Sequence, residues 1–171
     1  MSDPTLYDLA EKVGVGLKAA NLLVACAESC TGGWVAQAIT AVAGSSDWFD
    51  RGFVTYSNAA KHELLDVTTE TLDDHGAVSE ETARAMAMGA LAHSRADIAL
   101  AITGVAGPTG GTPAKPVGMV CFAWARRNGA TDAKTLHFTG DREQVRRQSV
   151  IAALEGVLER LGGSAAGQRK P

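Results

Sequence analysis

Leu22-Leu23-Val24-Ala25-Cys26-Ala27-Glu28-Ser29-Cys30-Thr31-Gly32-Gly33 decides the fold class of this chain. Its first half is a short continuous apolar run, the pattern of a strand buried on both faces, and its second half is polar and closes on paired glycines. Trp34 to Val42 then reads as a helix. The hexapeptide Glu28 to Gly33 is therefore an elbow between the carboxyl end of a strand and a helix N-terminus. Backbone amides point outward there, and ligands bind at such places in open α/β sheets.

The flanking sequence extends this pattern. Asp3-Pro4 starts a helix with Pro4 in its first turn, and Leu6, Leu9, Val13 and Leu17 recur at helical spacing to about Asn21. Ala43 to Ser46 breaks the helix after the elbow, and Gly52-Phe53-Val54-Thr55-Tyr56 has the β-branched and aromatic content of a second strand. Asn58 to Leu65 and Thr68 to His75 read as short helices, and Ser79 caps a longer one that reaches about Ser94. Ile98 to Ile102 is another doubly buried strand, followed by a glycine- and proline-rich loop from Thr103 to Gly118. Val117 to Arg126 and Ala133 to Phe138, divided by Asn128-Gly129, form an antiparallel hairpin, and a last helix runs from about Asp141 to Leu161. The expected fold is α/β: a three-layer α/β/α arrangement with a mixed, mostly parallel sheet and one antiparallel hairpin. One domain covers residues 1–161, and 162–171 form a disordered tail.

Composition narrows the function. A chain of 171 residues is the size of one domain. An apolar share of 46%, a charged share of 20% and a mean hydropathy of zero exclude both a disordered chain and a membrane protein. The formal net charge of −3 leaves no global positive field for nucleic acid. Cys26, Cys30 and Cys121 are odd in number, and two of them lie in or beside an apolar run, which fits a reducing cytoplasm rather than a disulfide framework. The N-terminus lacks the basic and apolar regions of a signal peptide, and no apolar run approaches the ~18 residues that span a bilayer.

The elbow carries the first candidate chemistry. Ser29 or Thr31 serves as a helix cap worth roughly 1 kcal/mol, or Ser29 is a nucleophile whose oxyanion is held by amides at Thr31, Gly32 and Gly33. A serine nucleophile needs a base. His62, His75, His93 and His137 have no local partner that marks a triad, which leaves Lys61, either a solvated helix lysine or the base. Deprotonating an unperturbed amine at pH 7 costs roughly 4.6 kcal/mol, so burial or a neighbouring cation must lower its pKa. Tyr56 is placed to relay a proton between Lys61 and Ser29 or to orient the lysine. Cys30 at the helix start is an alternative nucleophile without a histidine partner. No ligand spacing suggests a metal. Thr103, Gly104, Gly107, Gly110 and Gly111 form either structural turns or an anion-binding nest, and the loop is not a Walker A motif. Arg142 and Arg146, one helical turn apart, are a solvated face or a phosphate grip.

Taken in order, Ala27 to Gly33, Val54-Thr55-Tyr56-Ser57-Asn58 with Lys61, Gly76 to Glu80, Thr103 to Pro108 with Gly110-Gly111, Lys115 to Gly118, and Gly140-Asp141-Arg142 with Val145-Arg146 resemble the CinA C-terminal domain family. The resemblance covers about Leu6 to Leu161. It implies that the carboxamide of nicotinamide mononucleotide is hydrolysed to nicotinate mononucleotide and ammonia, in pyridine-nucleotide (NAD) salvage, with no cofactor and no metal. It assigns the nucleophile to Ser29, the base to Lys61 and an assisting role to Tyr56, and it adds Asn58 to the substrate-binding residues. It also implies a cytoplasmic homodimer or larger homo-oligomer with a small-molecule substrate and no nucleic-acid or membrane partner. Two other functions stay open: a non-catalytic nucleotide-binding or sensor module, and an amidase for another small amide.

Overall fold

The computed structural model describes residues 3–165. Along the chain run α1 (Pro4–Ala20), β1 (Val24–Glu28), α2 (Trp34–Thr40), β2 (Phe49–Val54), α3 (Asn58–Leu65), α4 (Thr69–His75), α5 (Glu80–Ala92), β3 (Ile98–Gly104), β4 (Met119–Arg126), β5 (Thr131–His137) and α6 (Arg142–Ala165). One sheet holds the strands in the order β2-β1-β3-β4-β5. β1 is parallel to both β2 and β3, whereas β4 is antiparallel to both β3 and β5, so β4 alone runs against the rest.

Strand alternation sends two kinds of side chain to the two faces. Val24, Cys26, Ile98, Leu100, Ile102, Phe122 and Trp124 face a core shared with Leu6, Val13 and Leu17 of α1, Val35 and Ile39 of α2, and Val150, Leu154 and Val157 of α6. The opposite face is mostly small: Ala27, Ala99, Ala101, Ala123 and Ala125 meet Ala83, Met86, Ala87 and Ala90 of α5, with Leu65 of α3 and Leu72 of α4. Small side chains on both partners let α5 lie close to the sheet. Close approach recurs at Gly89 of α5, where an added Cβ would stand 2.0 Å from the Leu65 carbonyl oxygen.

The chain departs from expectation mainly at element ends. β2 begins at Phe49 and ends at Val54, upstream of the expected Gly52 to Tyr56. Its polar Asp50-Arg51 hides an edge strand, and buried Trp48, whose carbonyl accepts from the Val24 amide, sets its start. β3 continues past Ile102 to Gly104 because β4 pairs with it that far. α6 passes Leu161 and runs through Ala165, so the expected tail is helical over 162–165, while 166–171 lie outside the described residues. Once a helix is established, each further residue adds a hydrogen bond, and Gly162-Gly163 does not stop it.

Connections from β1 and β3 leave in opposite directions, β1 toward β2 and β3 toward β4. The crevice beyond the carboxyl ends of these two strands is the usual ligand position in an open sheet. Ser29 follows directly after β1 there, its amide donating to the Ile102 carbonyl at 3.0 Å.

Candidate active site

Glu28, the last residue of β1, is 1% exposed. Its carboxylate accepts from the Thr31 hydroxyl at 2.7 Å and from the Val35 and Ala36 amides of α2 at 2.9 and 3.1 Å. A buried carboxylate thus satisfies the start of α2 from inside the protein, a favourable place for negative charge. Neither Ser29 nor Thr31 caps that helix; Glu28 does.

This arrangement takes one amide out of the expected set of oxyanion donors. The Gly32 amide donates to the Ser29 carbonyl at 3.1 Å, so it is already engaged within the turn. Gly32 and Gly33 have φ of 59° and 100°, and what the elbow requires of them is this left-handed backbone. Thr31 is fully buried and its hydroxyl belongs to Glu28. Among the described residues, the Cys30, Thr31 and Gly33 amides donate to no other residue. These are the elbow's unspent donors.

Lys61 comes from α3, whose N-cap Ser57 accepts from the Ala60 amide. Its side chain is 1% exposed, and Nζ donates to Ser29 Oγ at 3.0 Å and to the Thr55 carbonyl at 2.9 Å. Among the described residues no carboxylate pairs with it. Burial pushes its pKa down from the ordinary lysine value, opposed by the nearby Cys30 thiol. An amine so placed can take the serine proton directly. The expected relay through Tyr56 is not what the geometry supplies: the Tyr56 ring is 64% exposed, and its oxygen accepts from Arg142 Nη2 at 3.3 Å. None of the histidines lines this cavity; His62 meets the Val67 carbonyl, His75 faces Glu81, and His93 pairs with Asp66. Burial pushes the Cys30 thiol up to about 12, which leaves it protonated and unfit as a nucleophile near neutral pH.

Ser29, Lys61, Tyr56, Thr103, Gly104 and Arg142 meet around a cavity of about 270 Å³, completed by Cys30, Ala106 and the turn residues Ala77 and Val78. Thr103 Oγ1 donates to the Ala77 carbonyl at 2.7 Å and binds the end of β3 to the turn before α5. Lys115 Nζ fastens the glycine loop to the His75 carbonyl. The rest of the expected site lies elsewhere. Asn58 is the exposed first residue of α3 and does not line the cavity. Gly107 supplies its carbonyl to Arg142 Nη1 at 2.8 Å. Gly110 is exposed, and an added Cβ on Gly111 would stand 2.8 Å from the Val117 nitrogen, so turn formation accounts for that glycine. Arg146 donates to the Cys30 and Thr31 carbonyls at 3.0 and 3.1 Å, which removes it from a free phosphate grip. Glu28 and the Ala77-Val78 wall were not anticipated. The signal for Glu28 was a carboxylate at the inner end of an apolar run.

A larger cavity of about 570 Å³ lies between the starts of α1, α2 and α6, lined by Tyr7, Trp34, Gln37 and Arg147, and it contains neither Ser29 nor Lys61. Among the described residues no group of three or more His, Cys, Asp or Glu could hold a metal ion, and no helix is long and apolar enough to cross a membrane.

Comparison with known proteins places these features in context. The CinA C-terminal domain model matches residues 6–161. Nicotinamide-nucleotide amidohydrolase PncC of Escherichia coli (strain K12) is 54% identical over 161 residues, covering 94% of this chain and 98% of that protein. PncC of Pseudomonas putida is 52% identical over 157 residues, covering 92% and 97%. The crystal structure of competence/damage inducible protein CihA from Agrobacterium tumefaciens aligns with a TM-score of 0.90 at 45% identity, covering 95% of this chain and 98% of that one.

Proposed function

Because the chain belongs to the CinA C-terminal domain family, we propose that it is a nicotinamide-nucleotide amidase, hydrolysing the carboxamide of nicotinamide mononucleotide to nicotinate mononucleotide and ammonia. Near-full-length identity to two PncC amidohydrolases supports the reaction and the substrate. The observation that carries the chemistry is the 3.0 Å contact between the Lys61 amine and the Ser29 hydroxyl in a buried site.

In this reading the neutral Lys61 amine takes the Ser29 proton as Oγ attacks the carboxamide carbon. The carbonyl π pair moves onto oxygen, and the Cys30 and Thr31 amides receive that charge, each such donor being worth around 3 kcal/mol in other enzymes. Lys61 then returns its proton to the nitrogen, the C–N bond breaks, and ammonia leaves an ester on Ser29. Lys61 next takes a proton from water as the water oxygen attacks the ester. Lys61 hands that proton to Ser29 Oγ as the second intermediate collapses, which frees the carboxylic acid and restores both residues. Arg142, exposed at the cavity mouth and held by Gly107 and Tyr56, is the group best situated for the ribose phosphate. Tyr56 holds Arg142 rather than carrying a proton. A cytoplasmic role in pyridine-nucleotide salvage follows from the substrate.

The test is ammonia release from nicotinamide mononucleotide by chelator-treated protein, beside Ser29→Ala and Lys61→Ala, with nicotinamide riboside as a second substrate. Turnover that survives chelation, vanishes in both variants and prefers the nucleotide is expected. A parent that binds the nucleotide without releasing ammonia would instead be a sensor module, and a parent that does neither would act on another amide.

A further inference from the structure

Arg146 lies one turn into α6, far along the chain from the elbow it touches. Its Nε donates to the Cys30 carbonyl at 3.0 Å and its Nη2 to the Thr31 carbonyl at 3.1 Å, while its guanidinium carbon sits 5.3 Å from the centroid of the Trp34 ring. The fork and the stacking hold the cation in a single orientation. Arg146 is not among the residues that line the cavity, whereas Ser29 and Cys30 are.

In a planar trans peptide the C=O and N–H point in opposite directions and share one dipole. A cation on the carbonyl therefore makes the N–H of the same peptide a stronger donor, and chains of hydrogen bonds pass this polarisation on. Two such routes start at Arg146. The first is a single peptide: Nε binds the Cys30 carbonyl, and the N–H of that peptide belongs to Thr31. The second has two links: Nη2 binds the Thr31 carbonyl, whose peptide N–H, that of Gly32, donates to the Ser29 carbonyl at 3.1 Å; the N–H of that last peptide belongs to Cys30. Both routes end on amides of the elbow, those of Thr31 and Cys30, that donate to no other described residue.

We propose that Arg146 is a positioning residue for the hydrolysis, acting through these peptides to aim and polarise the Cys30 and Thr31 amides toward the oxyanion formed at Ser29. This rests on the amidase reading above. Arg146 does not line the cavity of Ser29 and Lys61, so its effect falls on the tetrahedral state and leaves ground-state binding alone.

The experiment compares the parent, Arg146→Met and Arg146→Lys in kcat and KM for nicotinamide mononucleotide. It also measures their affinities for pyridine-3-boronic acid, which becomes tetrahedral on Ser29, and for the product nicotinate mononucleotide. Arg146→Met is expected to lower kcat about 10- to 100-fold, less than or comparable to the loss of a whole oxyanion donor, with boronate affinity falling in step. KM and product affinity stay near parent values. Arg146→Lys, which keeps the charge but not the fork, is expected to recover part of the loss. Should Arg146→Met fail to fold, a severalfold drop of both kcat and boronate affinity in Arg146→Lys carries the same prediction. Unchanged kcat, or a KM increase with intact boronate affinity, overturns the role of Arg146. A parent that releases no ammonia from the nucleotide overturns the amidase reading itself and this inference with it.

Discussion

Glu28 and Lys61 are two buried ionisable side chains in opposite settings. Glu28 is fully partnered, and replacing it with glutamine turns one acceptor oxygen into a donor that faces the α2 amides. Glu28→Gln is expected to lower stability by about 1–3 kcal/mol in urea unfolding and to reduce kcat, because the same carboxylate shapes the turn behind Ser29. Lys61 lacks a counter-ion, and its pKa in the folded chain lies below that in the unfolded chain. Its neutral fraction therefore grows as pH rises through the lowered value, so kcat/KM is expected to climb on a limb centred below the ordinary lysine pKa. For stability, the unfolded chain binds the Lys61 proton more readily between the two pKa values, so the parent gains stability relative to Lys61→Met as pH rises through that window. Thermal unfolding of both proteins from pH 7 to pH 10 checks the sign. Ser29 stood out locally as a serine before paired glycines, whereas Lys61 read equally as a solvated helix lysine and was singled out by the family resemblance. Glu28 was not legible, because its meaning depends on amides seven and eight residues ahead that point back at it only after α2 forms.

Elements with local punctuation were legible and the others were not. Asp3 caps α1 and Ser79 caps α5, accepting from helix amides as their positions suggest. β2 carried no such mark, because an edge strand can be polar and its start is set by Trp48 and by pairing with β1. Contacts between elements suggest a paired substitution. Gly89→Ala drives a Cβ into the Leu65 carbonyl at the end of α3, one turn beyond Lys61; Gly156→Ala drives one to within 2.2 Å of the Trp124 ring on the opposite face of the sheet. Both are expected to cost about 1–3 kcal/mol by overpacking. Only Gly89→Ala should also lower kcat, since only α3 carries the base. Urea midpoints and initial rates on the two variants decide this.

At the scale of the molecule, the layers and the strand arrangement followed from buried runs alternating with helices, and the crevice from the order of connections. What lay beyond reach was which distant groups close that crevice: Arg142 and Arg146 looked equivalent, yet one stands at the cavity mouth and the other is committed to the elbow. Assembly beyond the single chain is the remaining expectation; light scattering should give a mass above the monomer, and a monomer alone would reject it. The placement of α6 also has a consequence for which parts of the chain the site depends on. Its Arg147 grips Asp3 before α1, and its first turns carry both arginines of the site, so α6 clasps the start of the first helix. A fragment cut before α6 would keep Ser29 and Lys61 but would lose Arg142 and Arg146 together with the clasp on Asp3.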